Sequence, residues 1–330
     1  MSSPGSPLKI LLAGKTGQVG RELAPPLARI GQLTALDRRE LDLAQPDDIR
    51  RKIREIQPDL IVNAAAYTAV DRAESDRDAA HAINGVAPGI MAEEAKRLGA
   101  LLVHYSTDYI FDGTKRNPYD EDDPTNPLNV YGQTKLEGEQ AIQRAGSAHL
   151  IFRTSWVYAR EGRNFLLTIL RLATEREELR IVQDQIGAPT SSPAIAAATA
   201  KVLAQICAAG HKGAREWSDI GDVYHMTAGG QTNWYEFADL IVRLASPPSH
   251  AEAWFAAATR NRPLRVRRVV PIRTEDYPTP ARRPMYSVLS NRRLSRDYGV
   301  TLPDWETQLR SIFSDASEVP VLEGMEGRRL

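Results

Sequence analysis

The chain has 330 residues, which is enough for one large α/β unit or two modest domains. Lysine and arginine together number 42, as do aspartate and glutamate, so the zero net charge gives no reason to expect nucleic acid or an acidic membrane as a partner. The one cysteine, Cys207, excludes an internal disulfide and favours a cytoplasmic location. No run of about 18 apolar residues predicts a membrane span, and the N-terminus lacks the apolar stretch of a signal peptide.

Short apolar runs alternate with helical segments over the first half of the chain. The pattern predicts strands at 8–13, 33–36, 60–65, 100–106 and 149–154, with helices at 17–30, 46–56, 79–98 and 130–145. Pro25 and Pro26 make the course of the first helix uncertain, and Pro88 predicts a kink or break in the third. This alternation indicates βαβ units and an α/β, Rossmann-type, doubly wound parallel sheet whose ligands bind at the carboxyl ends of the strands.

The regular alternation fades after residue 153. Helices are predicted at 164–177, 190–209, 234–244 and 307–313, with a strand at 223–227 and an irregular segment at 263–284. We therefore expect a Rossmann domain formed by 8–155 plus about 190–228. A smaller C-terminal substrate domain would comprise about 156–189 and 229–313. The ends, 1–7 and 314–330, are expected to be flexible tails.

A glycine-rich turn follows the first predicted strand and opens the first helix. Its spacing is G-x-x-G-x-x-G, formed by Gly14, Gly17 and Gly20, with Gln18 and Val19 between the last two. Glycines permit a tight turn and close approach of a pyrophosphate, and the helix N-terminus offers free amides to phosphates. The alternative is a glycine turn without a ligand; the strand-turn-helix context favours nucleotide binding.

The end of the second strand carries signals of opposite sign. Asp37 lies where an acidic residue contacts an unphosphorylated ribose, whereas Arg38 and Arg39 could pair with a 2′-phosphate. The sequence therefore predicts use of both NADH and NADPH. Asp42 and Leu43 could border the adenine, although Asp42 could equally cap the next turn.

Tyr131 and Lys135 lie one helical turn apart, on the same face of the predicted helix. A nearby ammonium lowers the pKa of a phenol, and such a phenol can exchange a proton with a carbonyl or alcohol. This spacing alone is common on surface helices. Thr107, at the end of the fourth strand, adds a hydroxyl able to bind a substrate oxygen. Together with the glycine turn, the three residues predict a centre for carbonyl reduction or alcohol oxidation.

Several longer motifs make the chain similar to a known family. GKTGQVG, VNAAAYTAVDRAES, VHYSTDYIFDG, PLNVYGQTKLEGE, IFRTSWVY, DQIGAPT and YPTPARRP run from residue 14 to about 284. On these stretches the chain resembles the extended short-chain dehydrogenase/reductase family. The G-x-x-G-x-x-G and Y-x-x-x-K motifs mark only the superfamily. STDYIFDG, RTSWVY and DQIGAPT are much more specific, and are typical of its nucleotide-sugar reductases.

The resemblance implies an activity and a role for each matched residue. NADH or NADPH would reduce the 4-keto group of a dTDP-sugar substrate, dTDP-4-dehydro-L-rhamnose, while Tyr131 supplies the proton. Lys135 would lower the pKa of Tyr131 and bind the nicotinamide ribose, and Thr107 would tune Tyr131. Cofactor contacts are implied for Gly14, Gly17, Gln18, Val19, Gly20, Asp37, Arg38, Asp42, Leu43, Ala66, Tyr67, Thr68, Tyr105, Tyr131 and Lys135. Substrate contacts are implied for Thr107, Asp108, Tyr109, Trp156, Asn164 and Arg283.

Departures from the family pattern bear on metal and assembly. Some family members bind Mg²⁺ through glutamates, one of which follows the GAPT segment, where this chain has Ser191 and Ser192. Glu22 matches another of those glutamates. Because the glutamate after the GAPT segment is missing, Mg²⁺ binding is doubtful, although a homodimer stays possible. The arginines between residues 260 and 273 could form a solvated face or bind a phosphorylated ligand.

Two other functions stay open on the sequence. One is another nucleotide-sugar reductase or epimerase of the same superfamily, and the other is a non-catalytic, reductase-like regulatory subunit. An epimerase would retain its cofactor tightly and show no net turnover of it. The presence of Thr107, Tyr131 and Lys135 together argues against a purely regulatory role.

Overall fold

The computed structural model describes residues 7–208, 217, 220–246 and 252–314, so most of the two predicted tails lies outside the described residues. The strands of this part are β1 (Lys9–Ala13), β2 (Gln32–Leu36), β3 (Leu60–Asn63), β4 (Leu101–Thr107), β5 (His149–Thr154), β6 (Val157–Tyr158), β7 (Glu178–Val182), β8 (Ile186–Gly187), β9 (Thr190–Ser191), β10 (Gly221–His225), β11 (Thr232–Asn233) and β12 (Arg268–Ile272).

The helices of the same part are α1 (Gln18–Ile30), α2 (Pro46–Ile56), α3 (Val70–Ala73), α4 (Arg77–Ala80), α5 (Ala87–Leu98), α6 (Val130–Ala145), α7 (Phe165–Glu175), α8 (Ser192–Ala208), α9 (Trp234–Ala245), α10 (Ala253–Thr259), α11 (Arg292–Tyr298) and α12 (Trp305–Phe313). A π-helical segment, His81–Val86, joins α4 to α5, and short 3-10 turns cover Asp108–Ile110 and Thr274–Asp276. Within the described ranges, no helix combines the length and apolar character needed to cross a membrane.

A six-stranded parallel sheet forms the centre of the molecule, with the strand order β10-β5-β4-β3-β1-β2. The chain moves outward from β1 to β2 and then returns to the other side of β1 to form β3. The carboxyl ends of β1 and β3 therefore flank the point where the strand order reverses, which is the place where such sheets bind ligands. The predicted Rossmann-type fold is confirmed.

Helices cover both faces of this sheet because its strands are apolar on both sides. In β1, Ile10 and Leu12 point into a core shared with α1 and α8, whereas Leu11 and Ala13 point into a second core shared with α2 and α5. All four residues are at most 1% exposed, which explains why β1 has a continuous apolar sequence instead of an alternating one. Because helices cover both faces of the sheet, the edge formed by the strand ends is the part that a ligand can reach.

A separate apolar core lies beyond the carboxyl edge of the sheet. It joins α7, α9 and α12 to the parallel pair β7–β12, with Leu170, Phe237 and Leu309 fully buried. Side-chain caps begin all three of these helices. In α9, Asn233 accepts a hydrogen bond from the amide of Glu236, and in α12, Asp304 accepts one from the amide of Thr307. This layer faces the sheet edge across the main cavity.

Most predicted elements occur within two residues of their expected bounds, and one prediction needs correction. The helix predicted at 79–98 is interrupted by the π-helical segment, and Pro88 lies in the first turn of α5, where a missing amide proton costs nothing. The predicted break is therefore confirmed. The irregular segment predicted at 263–284 is wrong in part, because β12 lies within it and pairs with β7 despite Pro271. A strand with one partner can place proline on its unpaired side.

Candidate active site

A cavity of about 720 Å³ opens where β4 and β5 end. Ser106, Thr107 and Asp108 line it from the end of β4, and Tyr131 lines it from α6. The opposite wall comes from α7, β7 and α9. Further lining residues are Gln18, Thr68, Asp71, Tyr109, Thr154, Trp156, Arg163, Phe165, Arg176, Arg180, Gln185, Trp234, Tyr277, Thr279 and Arg283. The cavity thus lies between the sheet edge and the second core, and has the size expected of a small-molecule site.

Tyr131 reaches the cavity from the first turn of α6. Asn129 caps this helix by accepting a hydrogen bond from the amide of Gly132, which fixes the turn that carries the phenol. The ring packs edge-on against Tyr109, with centroids 5.9 Å apart. Burial raises the pKa of Tyr131 to about 12, although a hydrogen bond with Thr107 opposes this rise. Tyr131 is therefore a protonated phenol at neutral pH.

Lys135 is fully buried one turn along the same helix. Its Nζ donates to the main-chain oxygen of Tyr105 at 2.6 Å and lies 3.1 Å from Nε2 of His104. Burial lowers the pKa of Lys135 to about 8, while Glu139 opposes the change. In this structure the pKa of Tyr131 lies above its usual value, and the group that opposes the rise is Thr107 and not Lys135.

Thr107 and Asp108 form the polar end of the cavity beside Tyr131. Thr107 donates from Oγ1 to Oδ1 of Asp108 at 3.0 Å and accepts from the amide of Tyr109. Ser155 donates to the other carboxyl oxygen of Asp108 at 2.9 Å. Burial raises the pKa of Asp108 to about 6, against hydrogen bonds from Ser287, Ser155 and Thr107. The structure therefore brings Thr107, Asp108, Tyr109 and Tyr131 together, as the sequence predicted.

Two buried hydroxyls in this cavity have no hydrogen-bond partner within the described structure. They are Oγ of Ser106 and Oγ1 of Thr154, which lie at the ends of the adjacent strands β4 and β5. Buried polar groups are nearly always paired in native proteins. Both oxygens are shielded from solvent, so they are unpaired polar groups in the wall of the cavity and would meet a ligand only after a local side-chain movement.

The glycine turn places the start of α1 at the same edge of the sheet. Gly14 has a φ of 88°, and a Cβ on Gly20 would lie 2.1 Å from the carbonyl oxygen of Gly14, so both positions require glycine. Gly17 precedes α1 without any side-chain cap, which leaves the first amides of the helix available to phosphates. Gln18 lines the cavity, and Val19 packs into the core. The turn fits a dinucleotide.

The residues predicted around the adenosine lie at the end of β2. Asp37 accepts a hydrogen bond from the amide of Arg39, and Arg38 is 80% exposed on its side chain, so its guanidinium is available to an anion. Asp42 accepts from the amide of Ala44, which confirms that it caps a turn. Leu43 is buried in the core. This edge combines acidic and basic groups, in keeping with either form of the cofactor.

The segment after β3 forms a further wall beside the glycine turn. Tyr67 is held there by Asn84 of the π-helical segment, which accepts from the amide of Tyr67 and donates to its carbonyl. Ala66 is half-buried and Thr68 is exposed. The phenol of Tyr105 instead pairs with Thr199 in the core at 2.7 Å, so only its main-chain oxygen takes part near Lys135. The Tyr105 side chain is thus not available to a cofactor.

Trp156 lies on the wall opposite Tyr131 in an unusual backbone conformation. Its φ is 47°, a region that is costly for a large side chain and is typically kept at functional sites. Its indole stacks on Trp234 with centroids 3.5 Å apart, and Gln185 holds the indole nitrogen of Trp234. A Cβ on Gly187 would lie 2.5 Å from the Trp156 ring, so glycine provides the space for it. The sequence predicted Trp234 as the start of a helix but not as a residue of the cavity.

Asn164 and Arg283 already have partners. Asn164 caps α7 and donates to Oε1 of Gln18 at 2.9 Å, so its amide joins the cofactor turn to the second core and does not line the large cavity. Arg283 lines the cavity and forms a bidentate ion pair with Asp71. Burial alone would raise the pKa of Asp71, but Arg283 brings it below its usual value.

The arginines between 260 and 273 form a solvated face. Arg267 and Arg268 pair with Glu177 and Glu178 and are more than 70% exposed on their side chains, and none of this group lines the large cavity. The cations that do line it are Arg163, Arg176 and Arg180, along with Arg283. Isolated arginines gave no sequence signal. Only the packing of α7 and β7 against the sheet edge reveals them.

Metal ligands are not grouped in the described part of the chain. No set of three or more histidine, cysteine, aspartate or glutamate side chains there could hold an ion. Burial raises the pKa of Glu22, against the charges of Arg160 and Arg21. A half-buried carboxylate with two arginines near it is a poor start for a Mg²⁺ site, which prefers several oxygen ligands.

The parallel sheet, the glycine turn and the Thr107–Tyr131 pair define a Rossmann-type NAD(P)-dependent oxidoreductase. Residues 8–318 match the family model described as the RmlD substrate binding domain, and the chain belongs to this family. It is 52% identical over 298 residues to a dTDP-4-dehydrorhamnose reductase of Burkholderia thailandensis, covering 90% of this chain and 95% of that protein.

Two further comparisons agree with this family. A dTDP-4-dehydrorhamnose reductase of Escherichia coli K12 is 42% identical over 312 residues, covering 93% of this chain and 98% of the relative. The crystal structure of a dTDP-4-dehydrorhamnose reductase from Bacillus anthracis in complex with NADP aligns with a TM-score of 0.80 at 32% identity. That alignment covers 93% of this chain and 99% of the other.

Proposed function

We propose that this protein reduces the 4-keto group of dTDP-4-dehydro-L-rhamnose to give dTDP-L-rhamnose, in the cytoplasm. The observation that carries the proposal is the Thr107–Tyr131 pair, which lies in a cavity that is also lined by Gln18, next to the glycine turn, and by the stacked Trp156 and Trp234. NADH or NADPH supplies the hydride when bound. The similarity to reductases of this name supports the choice of sugar.

Tyr131 acts as the proton donor in this proposal. Carbonyl reduction adds a hydride to carbon and a proton to oxygen, and a phenol that stays protonated at neutral pH has the proton to give. Thr107 orients this phenol through the hydrogen bond between the two side chains. After the transfer, the Tyr131 phenolate regains a proton from solvent.

The rest of the cavity would bind and orient the sugar nucleotide. The Trp156 indole offers an apolar face of fixed orientation, because Trp234 and Gly187 restrain the ring from behind. Arg163, Arg176 and Arg180 place positive charge where a diphosphate would need it. Ser106 and Thr154 have unpaired hydroxyls in the cavity wall near the strand ends, which a ligand would meet only after a local side-chain movement.

The test is an assay with dTDP-4-dehydro-L-rhamnose, in which the absorbance of NADH or NADPH is followed and the sugar product is identified by NMR. We expect oxidation of the cofactor and formation of dTDP-L-rhamnose. Bound cofactor that copurifies without net oxidation would favour an epimerase, and no oxidation of either cofactor would favour a regulatory subunit. Either result would overturn the proposal.

A pair of tyrosine variants tests the proton donor. Tyr131→Phe should lower kcat by about 10²–10⁴-fold while cofactor affinity stays nearly unchanged, since only the acid is removed. Tyr158→Phe is the matched control, because the Tyr158 phenol is buried away from the cavity without a hydrogen-bond partner in the described structure. Retention of most activity by Tyr131→Phe would exclude this residue as the donor.

A further inference from the structure

A continuous hydrogen-bond chain runs beneath the reaction centre, through Asn63, His104 and Lys135. Nδ2 of Asn63 lies 3.1 Å from Nδ1 of His104, and Nε2 of His104 lies 3.1 Å from Nζ of Lys135. Each of the three side chains is 1% exposed. Because this region is sealed from solvent, the direction of each hydrogen bond is set by the neighbouring groups.

The two ends of the chain are main-chain groups with fixed roles. At one end, the amide of Ala65 donates to Oδ1 of Asn63 at 3.2 Å, which leaves the Asn63 NH₂ facing His104. At the other end, the carbonyl oxygen of Tyr105 can only accept, and it takes a proton of Lys135 at 2.6 Å. A main-chain amide and carbonyl cannot exchange these roles.

These ends determine the tautomer of the histidine. Since Asn63 donates to Nδ1, that nitrogen must accept, and a neutral imidazole then carries its proton on Nε2. Burial lowers the pKa of His104 well below its usual value, and any charge on Lys135 acts in the same direction, which agrees with a neutral ring. Nε2–H therefore points at Nζ of Lys135. An ammonium has no lone pair to accept it, but an uncharged amine does.

We propose that His104 is a positioning residue that favours the uncharged amine form of Lys135 over the ammonium, through a hydrogen-bond chain whose direction is fixed by Ala65 and Tyr105. Charging Lys135 would break the bond from His104 or require the Asn63 amide to reverse against the Ala65 amide. The hydrogen-bond chain therefore opposes protonation of Lys135 by the free energy of one buried hydrogen bond. The proposal rests on the proposed function only for the assignment of Lys135 to the reaction centre.

Other charged groups around Lys135 do not cancel this effect. Glu139, one turn along α6, favours the ammonium but is paired with Arg153 of β5 at 2.7 Å. Glu137 of α6 lies on the outer side with His81 of the π-helical segment. Asp108 acts on Tyr131 from the end of β4. An amine that gains its charge only below about pH 8 would set the alkaline limit of a reaction that needs an ammonium beside Tyr131.

The test is NMR of the full-length protein without cofactor or substrate. Long-range ¹H–¹⁵N spectra of the six histidines report the tautomer of His104, and ¹³Cε-labelled lysine reports the titration of Lys135, assigned with Lys135→Met. We expect His104 protonated on Nε2 and a Lys135 midpoint near pH 8. A ring protonated on Nδ1, or a Lys135 midpoint above about pH 10, the usual value for lysine, would overturn the proposal.

The variant Asn63→Asp should reverse the direction of the hydrogen-bond chain with almost no change in the shape of the side chain. A carboxylate accepts from Ala65 and also from Nδ1–H of His104, so Nε2 becomes an acceptor for the Lys135 ammonium. We expect the tautomer to switch and the Lys135 midpoint to rise by about one pH unit or more. Asn129→Asp is the charge control: it adds a carboxylate at the α6 cap and should leave the tautomer unchanged.

An unchanged tautomer in Asn63→Asp would contradict the assigned direction of the chain. These readouts need no turnover, so their failure is distinct from failure of the reductase assay. An inactive protein with the expected tautomer and midpoint would refute the proposed function but support the direction of the hydrogen-bond chain. An active protein with an Nδ1-protonated His104 would support the proposed function but refute that direction.

Discussion

Trp156 and Trp234 stack face to face, with ring centroids 3.5 Å apart and planes inclined by 5°. Trp156 lies two residues after the end of β5, and Trp234 begins α9, so the stack joins the sheet edge to the second core. The left-handed backbone of Trp156 turns its ring into this position, and Gly187 leaves room behind it. The indole is therefore a rigid part of the cavity wall.

Gly187→Ala should weaken substrate binding specifically. The new Cβ would lie 2.5 Å from the Trp156 ring and displace it from the stack. Since an aromatic pair is worth about 0.5–1.5 kcal/mol, we expect KM for the dTDP-sugar to rise roughly 3–10-fold, with KM for NAD(P)H unchanged. Gly229→Ala is the control, because its Cβ would meet only ordinary contacts at 3.5 Å or more. Equal KM values in the two variants would contradict the role of the stack.

Thr107→Val should lower kcat by about 10–100-fold and leave KM for NAD(P)H nearly unchanged, because the phenol of Tyr131 loses the hydroxyl that orients it. Thr107→Ser keeps that hydroxyl and should retain most of the activity. Steady-state kinetics of the two variants provide the measurement. If the serine variant is as slow as the valine variant, the methyl group and not the hydroxyl is what matters.

Asp108→Asn should change how stability depends on pH. Burial raises the pKa of Asp108 from 3.8 to about 6 in the folded protein, so the folded state binds a proton more tightly than the unfolded state. The free energy of unfolding therefore falls as pH rises from about 4 to 6. Asparagine cannot ionise, so the stability of the variant relative to the original protein should rise by up to roughly 3 kcal/mol between pH 4 and 7. Urea denaturation at several pH values measures this difference.

Asp112→Asn provides a control of opposite sign. Burial raises the pKa of Asp112, but hydrogen bonds from Thr114, Asn126 and Tyr119 together outweigh this effect and lower the pKa to about 2. The stabilisation from this carboxylate is present above the unfolded pKa and is lost as pH falls through the folded value. The variant should thus be less stable at pH 7, with a gap that narrows in acid. Parallel pH curves for both aspartate variants would refute both assignments.

Arg153→Met should destabilise the fold by about 3–5 kcal/mol, because it leaves the Glu139 carboxylate buried without a counter-charge. Arg153 and Glu139 are at most 6% exposed on their side chains, and the guanidinium binds both carboxyl oxygens. The double variant Arg153→Met with Glu139→Leu should recover most of the loss. Chemical denaturation measures this, and a double variant no more stable than the single one would show that the charge itself is not the cause.

The central sheet was predictable because its strands are buried on both faces. Such strands give continuous apolar runs, as in residues 10–13 of β1 and 60–62 of β3, and the helices between them have clear ends. The pair β7–β12 was not predictable in this way. Its strands carry arginines, one of them includes Pro271, and each has only the other as its partner.

The residues of the candidate site also differ in how well the sequence predicts them. Thr107 and Tyr131 were placed correctly because strand ends and helix starts meet at one edge in a parallel sheet. The partners of Lys135 and the ring behind Trp156 were missed, since they depend on contacts between distant segments. His104 reads as an ordinary strand residue until its ring nitrogens are seen between Asn63 and Lys135.

The hydrogen bond between Gln18 and Asn164 has a mechanical consequence. It ties the first residue of α1 to the cap of α7, and α7 carries Phe165 and Thr168 on the cavity wall. The first residue of α1 and the wall of the cavity therefore share one side-chain hydrogen bond, so a displacement of either would strain it.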